Sequence, residues 1–296
     1  MALRGKKPTA VEKRFKMLLF GPAGVGKTIA SIQFPKPYLI DTERGAEHDA
    51  YVKLLDRAGG AYYATNDPDE LISEVRSLLS ERHPYRTLVI DPLTPVYNDL
   101  LDKSAAMLIT DNDPTGTAFS RHKGLADRKV KHLLNLLTRL DMNLIITSHA
   151  KARWERNGTQ IIEVGQTFDC YAKLDYLFDL VLELERRGTD RVAIVRKSRL
   201  DGFPLDTVIP FSYDEIAERY GRAILERDAV PVPLASTEQC AKLRELLAER
   251  KNGDELLDKW LDKSQSASIE EMPADVAQKC IDFLVSGNAK AEPTAA

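Results

Sequence analysis

The sequence predicts an α/β fold with a mostly parallel central sheet flanked by helices, followed by a small helical module. Two patterns lead to this prediction. Short, continuous apolar runs are typical of strands buried on both faces of a parallel sheet. They occur at 15–20, 38–41, 61–64, 87–91 and 143–149. Between some of these runs, apolar residues recur at helical spacing, as in 71–79 and 133–140. Strands that alternate with helices in this way indicate a doubly wound sheet.

The composition excludes several classes of protein. The chain has 296 residues, of which 43% are hydrophobic and 29% charged, so it can bury a core and is neither disordered nor collagen-like. A net charge of −3 means that any contact with a polyanion must come from a local basic patch. No apolar run reaches membrane-spanning length, and the three cysteines lack metal-ligand spacing. We therefore expect a soluble, cytoplasmic protein with reduced thiols.

The pattern along the chain predicts four segments. These are a basic N-terminal arm (1–14), the α/β core (15–230), a small helical module (237–284) and a disordered tail (285–296). Near the end of the core, 178–199 reads as an antiparallel hairpin at the far side of the sheet. The proline-rich stretch 231–236 is the predicted linker, and Thr237 and Ser268 are the predicted N-caps of helices in the module.

The most specific motif is a phosphate-binding loop. Residues 21–28, GPAGVGKT, match G-x-x-x-x-G-K-[ST] in full, between an apolar strand and a helical stretch. Glycines let the backbone curl so that its N–H groups point at phosphate oxygens, and the helix adds its positive end. Lys27 can reach the β- and γ-phosphates, and the Thr28 hydroxyl can ligate Mg²⁺, so ATP and Mg²⁺ are the predicted ligands. The predicted nucleotide-binding residues of the loop are Gly21, Pro22, Ala23, Gly24, Val25, Gly26, Lys27, Thr28 and Ile29.

Polar residues at strand ends supply the other candidates. Asp91 ends the run 87–91 and is predicted to support the metal ion. Many P-loop ATPases place the water-activating glutamate immediately after this aspartate, but here that position is Pro92. If the strand 38–41 neighbours the P-loop strand, Glu43 faces the γ-phosphate and can act as the general base. A solvated loop carboxylate paired with Arg44 is the alternative.

The run 143–149 ends in the polar residues Thr147, Ser148 and His149. Such a strand tip can hydrogen-bond the γ-phosphate and transmit its presence to the segment that follows. His149 is therefore a further candidate nucleotide-binding residue. An ordinary histidine at the sheet edge is the alternative.

The order of these motifs resembles the RecA-like recombinase and helicase core. A P-loop is followed by a strand ending in D-x-E (41–43), a strand ending in a hydrophobic residue and Asp91, and a strand with a polar tip. The resemblance covers roughly 15–210. The short length and the missing large flanking domains look most like the compact bacteriophage ATPases of single-strand-annealing recombination, the Sak-type, minimal RecA-like proteins. Pro92 and His149 depart from the small hydroxyl residue and the glutamine usual in RecA.

The resemblance implies a homo-oligomer, a ring or a filament, that hydrolyses ATP at subunit interfaces. Lys197 and Arg199 resemble the K-x-[KR] pair that acts on the neighbouring subunit's γ-phosphate, although an exposed basic strand end is the alternative. The segments 92–124 and 150–168 match loops that line a DNA channel, or are solvated, mobile loops. Basic residues beside an aromatic ring suit single-stranded DNA. In the second segment these are Lys151, Arg153, Trp154 and Arg156.

The phosphate-binding loop and the carboxylates at the strand ends predict a Mg²⁺-dependent ATPase. The resemblance implies that it is stimulated by DNA and acts in phage-type homologous recombination, promoting strand annealing or exchange in a bacterial host cell. Single-stranded DNA is the expected partner, and a single-strand-binding protein is a further candidate. A helicase or helicase loader, a small-molecule P-loop kinase and a non-hydrolysing nucleotide switch are the alternatives.

Overall fold

The computed structural model describes residues 12–45 and 48–286. The strands are β1 (Lys16–Phe20), β2 (Pro37–Asp41), β3 (Ala61–Ala64), β4 (Thr87–Asp91), β5 (Asn143–Ser148), β6 (Ala150–Asn157), β7 (Gln160–Phe168), β8 (Leu180–Arg187), β9 (Asp190–Ser198) and β10 (Val208–Pro210). The helices are α1 (Lys27–Ser31), α2 (Asp49–Ala58), α3 (Pro68–Ser80), α4 (Thr94–Ala106), α5 (Arg121–Arg139), α6 (Tyr213–Tyr220), α7 (Arg222–Leu225), α8 (Thr237–Ala248), α9 (Gly253–Ser264) and α10 (Ala274–Ser286). Short 3₁₀ turns lie at Ala118–Ser120, Leu174–Leu177 and Ile269–Glu271.

Within these ranges, one large sheet has the strand order β10-β9-β8-β1-β5-β4-β2-β3. The strands from β8 to β3 in this order are parallel, and the β8–β9 hairpin and β10 extend the sheet as antiparallel neighbours. The predicted α/β fold with a mostly parallel, helix-flanked sheet is confirmed. The hairpin predicted at the far side of the sheet is also confirmed.

The strand order differs from one expectation. We considered β2 as a neighbour of the P-loop strand β1, but β5 and β4 lie between them. The physical reason is burial, because β4 and β5 are buried along their whole length and take central positions. The edge strand β3 instead exposes Tyr62 and Tyr63.

The core forms two layers because successive strand residues point to opposite faces of the sheet. On β1, Leu18 and Phe20 pack with α3, α4 and α5, whereas Met17 and Leu19 pack with residues from α1, α2 and α6. Both faces of the sheet are therefore covered, and the polar ends of the strands are left to form the site.

The C-terminal helices α8, α9 and α10 enclose a third apolar cluster around Trp260 and Met272. The N-cap of α8 is Ser236, in a capping box with Gln239, so the prediction of Thr237 was off by one residue. Ser268 precedes a 3₁₀ turn and makes no side-chain cap hydrogen bond. The linker 231–236 is attached to α3 of the core, since the Val232 N–H donates to the Leu79 carbonyl at 2.8 Å.

The two ends of the chain fall partly outside the described residues. These are 1–11 of the predicted arm and 287–296 of the predicted tail. Arg14, at the end of the predicted arm, is buried and pairs with Asp141 at 2.9 Å. None of the described helices is long and apolar enough to cross a membrane.

Candidate nucleotide-binding site

A cavity of about 420 Å³ opens where β1, β2, β4 and β5 end. Parallel strands place their carboxyl ends at one edge of the sheet, which is where open α/β sheets bind ligands. The predicted site residues that line the cavity are Ala23, Gly24, Gly26, Lys27, Thr28, Ile29, Glu43, Asp91 and His149. Of the other predicted loop residues, Val25 is buried in the core and Gly21 packs against β8.

The phosphate-binding loop curls around the Lys27 ammonium. Lys27 Nζ donates to the carbonyls of Gly21 at 2.9 Å and Pro22 at 3.0 Å. Gly24 and Gly26 have φ angles of 74° and 97°, which glycine adopts without steric cost. Burial lowers the pKa of Lys27, while the negative charges of Asp91 and Glu43 oppose this shift. The ammonium therefore hydrogen-bonds the carbonyls of its own loop and lies within electrostatic range of Asp91 and Glu43.

Asp91 is buried at the end of β4, with 6% of its surface exposed. Its carboxylate accepts hydrogen bonds from the hydroxyls of Thr147, on the intervening strand β5, and Thr28. Burial raises the pKa of Asp91, and the two hydroxyl hydrogen bonds oppose that shift. A buried carboxylate in contact with a P-loop hydroxyl is a donor set that fits Mg²⁺, which prefers oxygen ligands.

Glu43 reaches the cavity although β2 is not next to β1. The loop after β2 is tied to the end of β4, since the Thr42 N–H donates to the Asp91 carbonyl at 3.0 Å and the Thr42 hydroxyl to the Pro92 carbonyl at 2.6 Å. The Glu43 N–H also donates to Asp41 Oδ1 at 3.1 Å. These hydrogen bonds hold Glu43 at the carboxyl edge of the sheet, where it lines the same cavity as the P-loop.

His149 contacts the candidate base directly. Its Nε2 lies 2.9 Å from Glu43 Oε1, so Glu43 pairs with His149 rather than with Arg44 as the alternative supposed. The His149 N–H donates to Thr94 Oγ1 at 3.0 Å, and its carbonyl accepts from the Asp169 N–H at 2.8 Å. His149 is thus held between the nucleotide cavity and the segment that begins at Ala150.

That segment corrects our expectation of two loops. Residues 150–168 form the antiparallel hairpin β6–β7, a separate two-stranded sheet. The signal in the sequence is Gly158 between two strand-forming runs: it is the first residue of the two-residue turn Gly158-Thr159 and has a φ of 62°. In 92–124, helices α4 and α5 leave 92–93 and 107–120 outside α-helix, and Phe119 is 97% exposed.

The four predicted DNA-contacting residues lie on β6, outside the nucleotide cavity. Lys151 pairs with Asp169 at 3.0 Å, and Arg153 pairs with Glu155 at 2.5 Å. Trp154 is 58% exposed. Trp154 and Arg156 are two positions apart beyond a β-bulge, so they lie on one face of the hairpin.

Lys197 and Arg199 lie far from the P-loop of their own chain. The register pairs Lys197 with Val181 and Met17 with Leu180, which places both predicted trans-acting residues at the amino-terminal edge of β1. Lys197 donates to the Asp175 carbonyl and lies 5.6 Å from the centroid of the Tyr176 ring. Arg199 lines a second, larger cavity of about 700 Å³, in whose lining seven basic residues outnumber two acidic ones.

Two cavity-lining cations were missed by the sequence analysis. Arg186 and Arg191 come from the tip of the β8–β9 hairpin and contribute to the wall of the nucleotide cavity. The hairpin itself was predicted, but the sequence does not show that its tip lies beside the P-loop. That position follows from the parallel pairing of β8 with β1.

Residues 13–201 match the profile of the AAA domain family. No curated protein matches the chain. The matched region covers more than half of the 296 residues and contains both the phosphate-binding loop and the strands that end at the cavity. The chain therefore belongs to the AAA domain family and carries a nucleotide-binding P-loop ATPase domain.

Proposed function

We propose that the protein is a Mg²⁺-dependent ATPase that binds single-stranded DNA and acts in phage-type homologous recombination, by strand annealing or exchange, as a homo-oligomer. The observation that carries the proposal is a direct link between the nucleotide cavity and the β6–β7 hairpin. The β6–β7 hairpin begins at Ala150, immediately after His149, whose Nε2 lies 2.9 Å from Glu43 in the nucleotide cavity.

In this proposal each cavity residue has a distinct role. Lys27 and the P-loop N–H groups hold the phosphates, and Glu43 accepts a proton from the attacking water. Thr28 and Asp91 would hold Mg²⁺, which when bound neutralises charge on the phosphates. His149 orients the Glu43 carboxylate, and a shift of His149 on nucleotide binding would be passed to the hairpin.

The hairpin offers the chemistry of a single-strand-binding surface. Bases stack on an exposed aromatic ring irrespective of sequence, and nearby cations track the phosphates. Trp154 is the exposed ring, and Arg156 is the cation on the same face of β6. Lys151 and Arg153 are further cations on the opposite face of the strand, each paired with a carboxylate. Lys197 and Arg199 would complete the neighbouring subunit's site, because they lie away from their own.

Steady-state ATP hydrolysis, measured with and without single-stranded DNA, tests this function. We expect single strands to raise kcat, with Lys27→Ala as the inactive blank. Hydrolysis unaffected by DNA, together with no DNA-bound complex in the presence of ATP, would contradict the proposal and favour a small-molecule kinase or a nucleotide switch.

Replacing Trp154 with alanine should weaken single-stranded DNA binding roughly 10- to 100-fold, since one aromatic–base stack contributes about 1–3 kcal/mol. The affinity can be followed by fluorescence anisotropy of a labelled oligonucleotide. Tyr62→Ala is the matched control, because Tyr62 is a 42% exposed aromatic on the edge strand β3. Equal affinities of the two variants would exclude Trp154 as a stacking platform.

A further inference from the structure

The β8–β9 hairpin presents two arginines to the nucleotide cavity of its own chain. Arg186 and Arg191 are directly opposite each other in the antiparallel register, and both line the cavity. Side chains directly opposite in such a pair lie on one face, and like charges in this position repel each other. An anion bound beside both guanidinium groups would offset that repulsion.

Arg191 is packed against the phosphate-binding loop. A Cβ atom added at Gly26 would lie 2.3 Å from Arg191 Nε, so the Arg191 side chain occupies the space that a side chain at position 26 would take. Similarly, a Cβ atom at Gly21 would lie 2.4 Å from the Leu184 carbonyl oxygen of β8. The two glycines of the motif therefore allow the hairpin to approach the loop, in addition to allowing the loop to curl.

The backbone holds Arg191 in this position from both sides. It pairs with β8 on one side, and its carbonyl accepts from the Phe211 N–H at 3.0 Å on the other. Arg186 Nε donates to the Gly188 carbonyl at 3.0 Å, across the turn of the hairpin. Arg186 and Arg191 therefore lie on strands that are held by backbone pairing, and not on an isolated loop.

We propose that Arg191, assisted by Arg186, binds the nucleotide phosphates in cis, so that each subunit supplies its own arginine contact. A guanidinium presents several N–H donors in a planar fork that suits phosphate oxygens, and it can stabilise charge that develops during phosphoryl transfer. This role rests on the ATPase activity of the domain. It is independent of DNA binding and of the trans-acting role proposed for Lys197 and Arg199.

Single variants give the first test, in the DNA-free ATPase assay. Arg191→Ala should lower kcat/KM by about 10²–10³-fold, the range seen when one transition-state donor is removed. Arg191→Lys should recover part of this loss, because it restores the positive charge but not the planar, multidentate guanidinium.

Arg187→Ala is the matched control, since Arg187 pairs with Glu185 at 3.2 Å and is not among the cavity residues. Circular dichroism and thermal melting report whether each variant is folded, and Arg186→Ala provides a second, independent variant with an expected smaller loss.

A mixing experiment separates action in cis from action in trans. Arg191→Ala and Lys27→Ala subunits are combined at equal concentration, and hydrolysis is compared with the sum of the two variants alone. If Arg191 acts in cis, every subunit of a mixed oligomer lacks either Lys27 or Arg191 at its own site, so the activity should equal that sum. Activity well above the sum would overturn the proposal, because Arg191 of the Lys27→Ala subunit would then be serving a neighbour. Wild-type kcat/KM in folded Arg191→Ala would overturn it as well, whereas failure of DNA to stimulate hydrolysis would affect only the proposed function.

Discussion

Replacing Glu43 with glutamine should leave ATP binding intact and lower kcat for hydrolysis by about 10²–10⁴-fold, the usual contribution of a general base. Glutamine keeps the size of the side chain and its capacity to hydrogen-bond His149, but it cannot accept the proton of the attacking water. The loop after β2 is held by hydrogen bonds from the Thr42 hydroxyl and from the Glu43 N–H. Neither bond involves the Glu43 side chain, so the substitution should not move the loop. Binding of a fluorescent ATP analogue and single-turnover hydrolysis measure the two properties separately.

The control for Glu43→Gln is His149→Gln, which removes the partner of the carboxylate but leaves the carboxylate in place. Because His149 acts on Glu43 and contacts no other part of the proposed water-activating machinery, its replacement should lower kcat less. Unchanged turnover in Glu43→Gln would remove Glu43 from the mechanism. A larger effect at His149 than at Glu43 would instead assign His149 the principal role.

Replacing Glu271 with alanine should lower the free energy of unfolding by about 1.5–3 kcal/mol, the typical contribution of hydrogen bonds to a buried charged group. Glu271 is fully buried between the C-terminal helices and the α/β core. His132 Nε2 lies 2.9 Å from both of its carboxylate oxygens, Arg76 donates to Oε1, and the Ala267 N–H donates to Oε2 at 3.0 Å. Alanine would remove the acceptor of Arg76 and His132, which are part-exposed side chains of α3 and α5, and of the Ala267 N–H.

Urea denaturation at pH 7 measures this loss, and Glu270→Ala is the matched control. Glu270 is the preceding residue in the same 3₁₀ turn, but its ion pair with Arg244 is largely exposed. Exposed pairs contribute about 0–1 kcal/mol, so the control should remain close to the parent. Similar stabilities of the two variants would contradict the role of Glu271 in attaching the C-terminal helices.

The same carboxylate predicts a pH dependence of stability. Burial alone would raise the pKa of Glu271, but the hydrogen bonds from His132, Ala267 and Arg76 outweigh it and lower the pKa from 4.5 to about 2. A carboxyl whose pKa is lowered by folding stabilises the fold above its unfolded pKa, and this contribution disappears as the pH falls through the folded value. The difference in stability between the parent and Glu271→Ala should therefore shrink between pH 4.5 and pH 2. A difference that stays constant over this range would show that the charge of Glu271 contributes nothing.

The sequence was sufficient for features that depend on local pattern. Each of the five continuous apolar runs forms a strand. Four of them are buried on both faces of the sheet, as such runs predict, whereas the edge strand β3 is not. Asp91, Glu43 and His149 could be selected as candidates because they follow such runs, and parallel strands share one carboxyl edge. All three line the same cavity as Lys27.

Features that depend on the order of strands could not be read in this way. Glu43 was expected to reach the cavity from a strand beside β1, whereas it does so across β4 through the hydrogen bonds of Thr42. Arg186 and Arg191 were placed only in a hairpin, since nothing local shows that β8 pairs with β1. The hairpin β6–β7 is a different case, because the turn glycine Gly158 between two strand-forming runs is a local signal for a hairpin.

The amino-acid sequence by itself determined that this chain builds a parallel sheet, carries a complete phosphate-binding loop and places polar groups at the ends of three further strands. These properties follow from residue type and spacing over short stretches of chain. Only the tertiary structure decided which strands are neighbours, that His149 pairs with Glu43, that Lys197 and Arg199 lie at the opposite edge, and that two arginines lie against the loop. Those outcomes depend on contacts between residues distant in the chain, which are selected by burial of the whole core and not by any one segment.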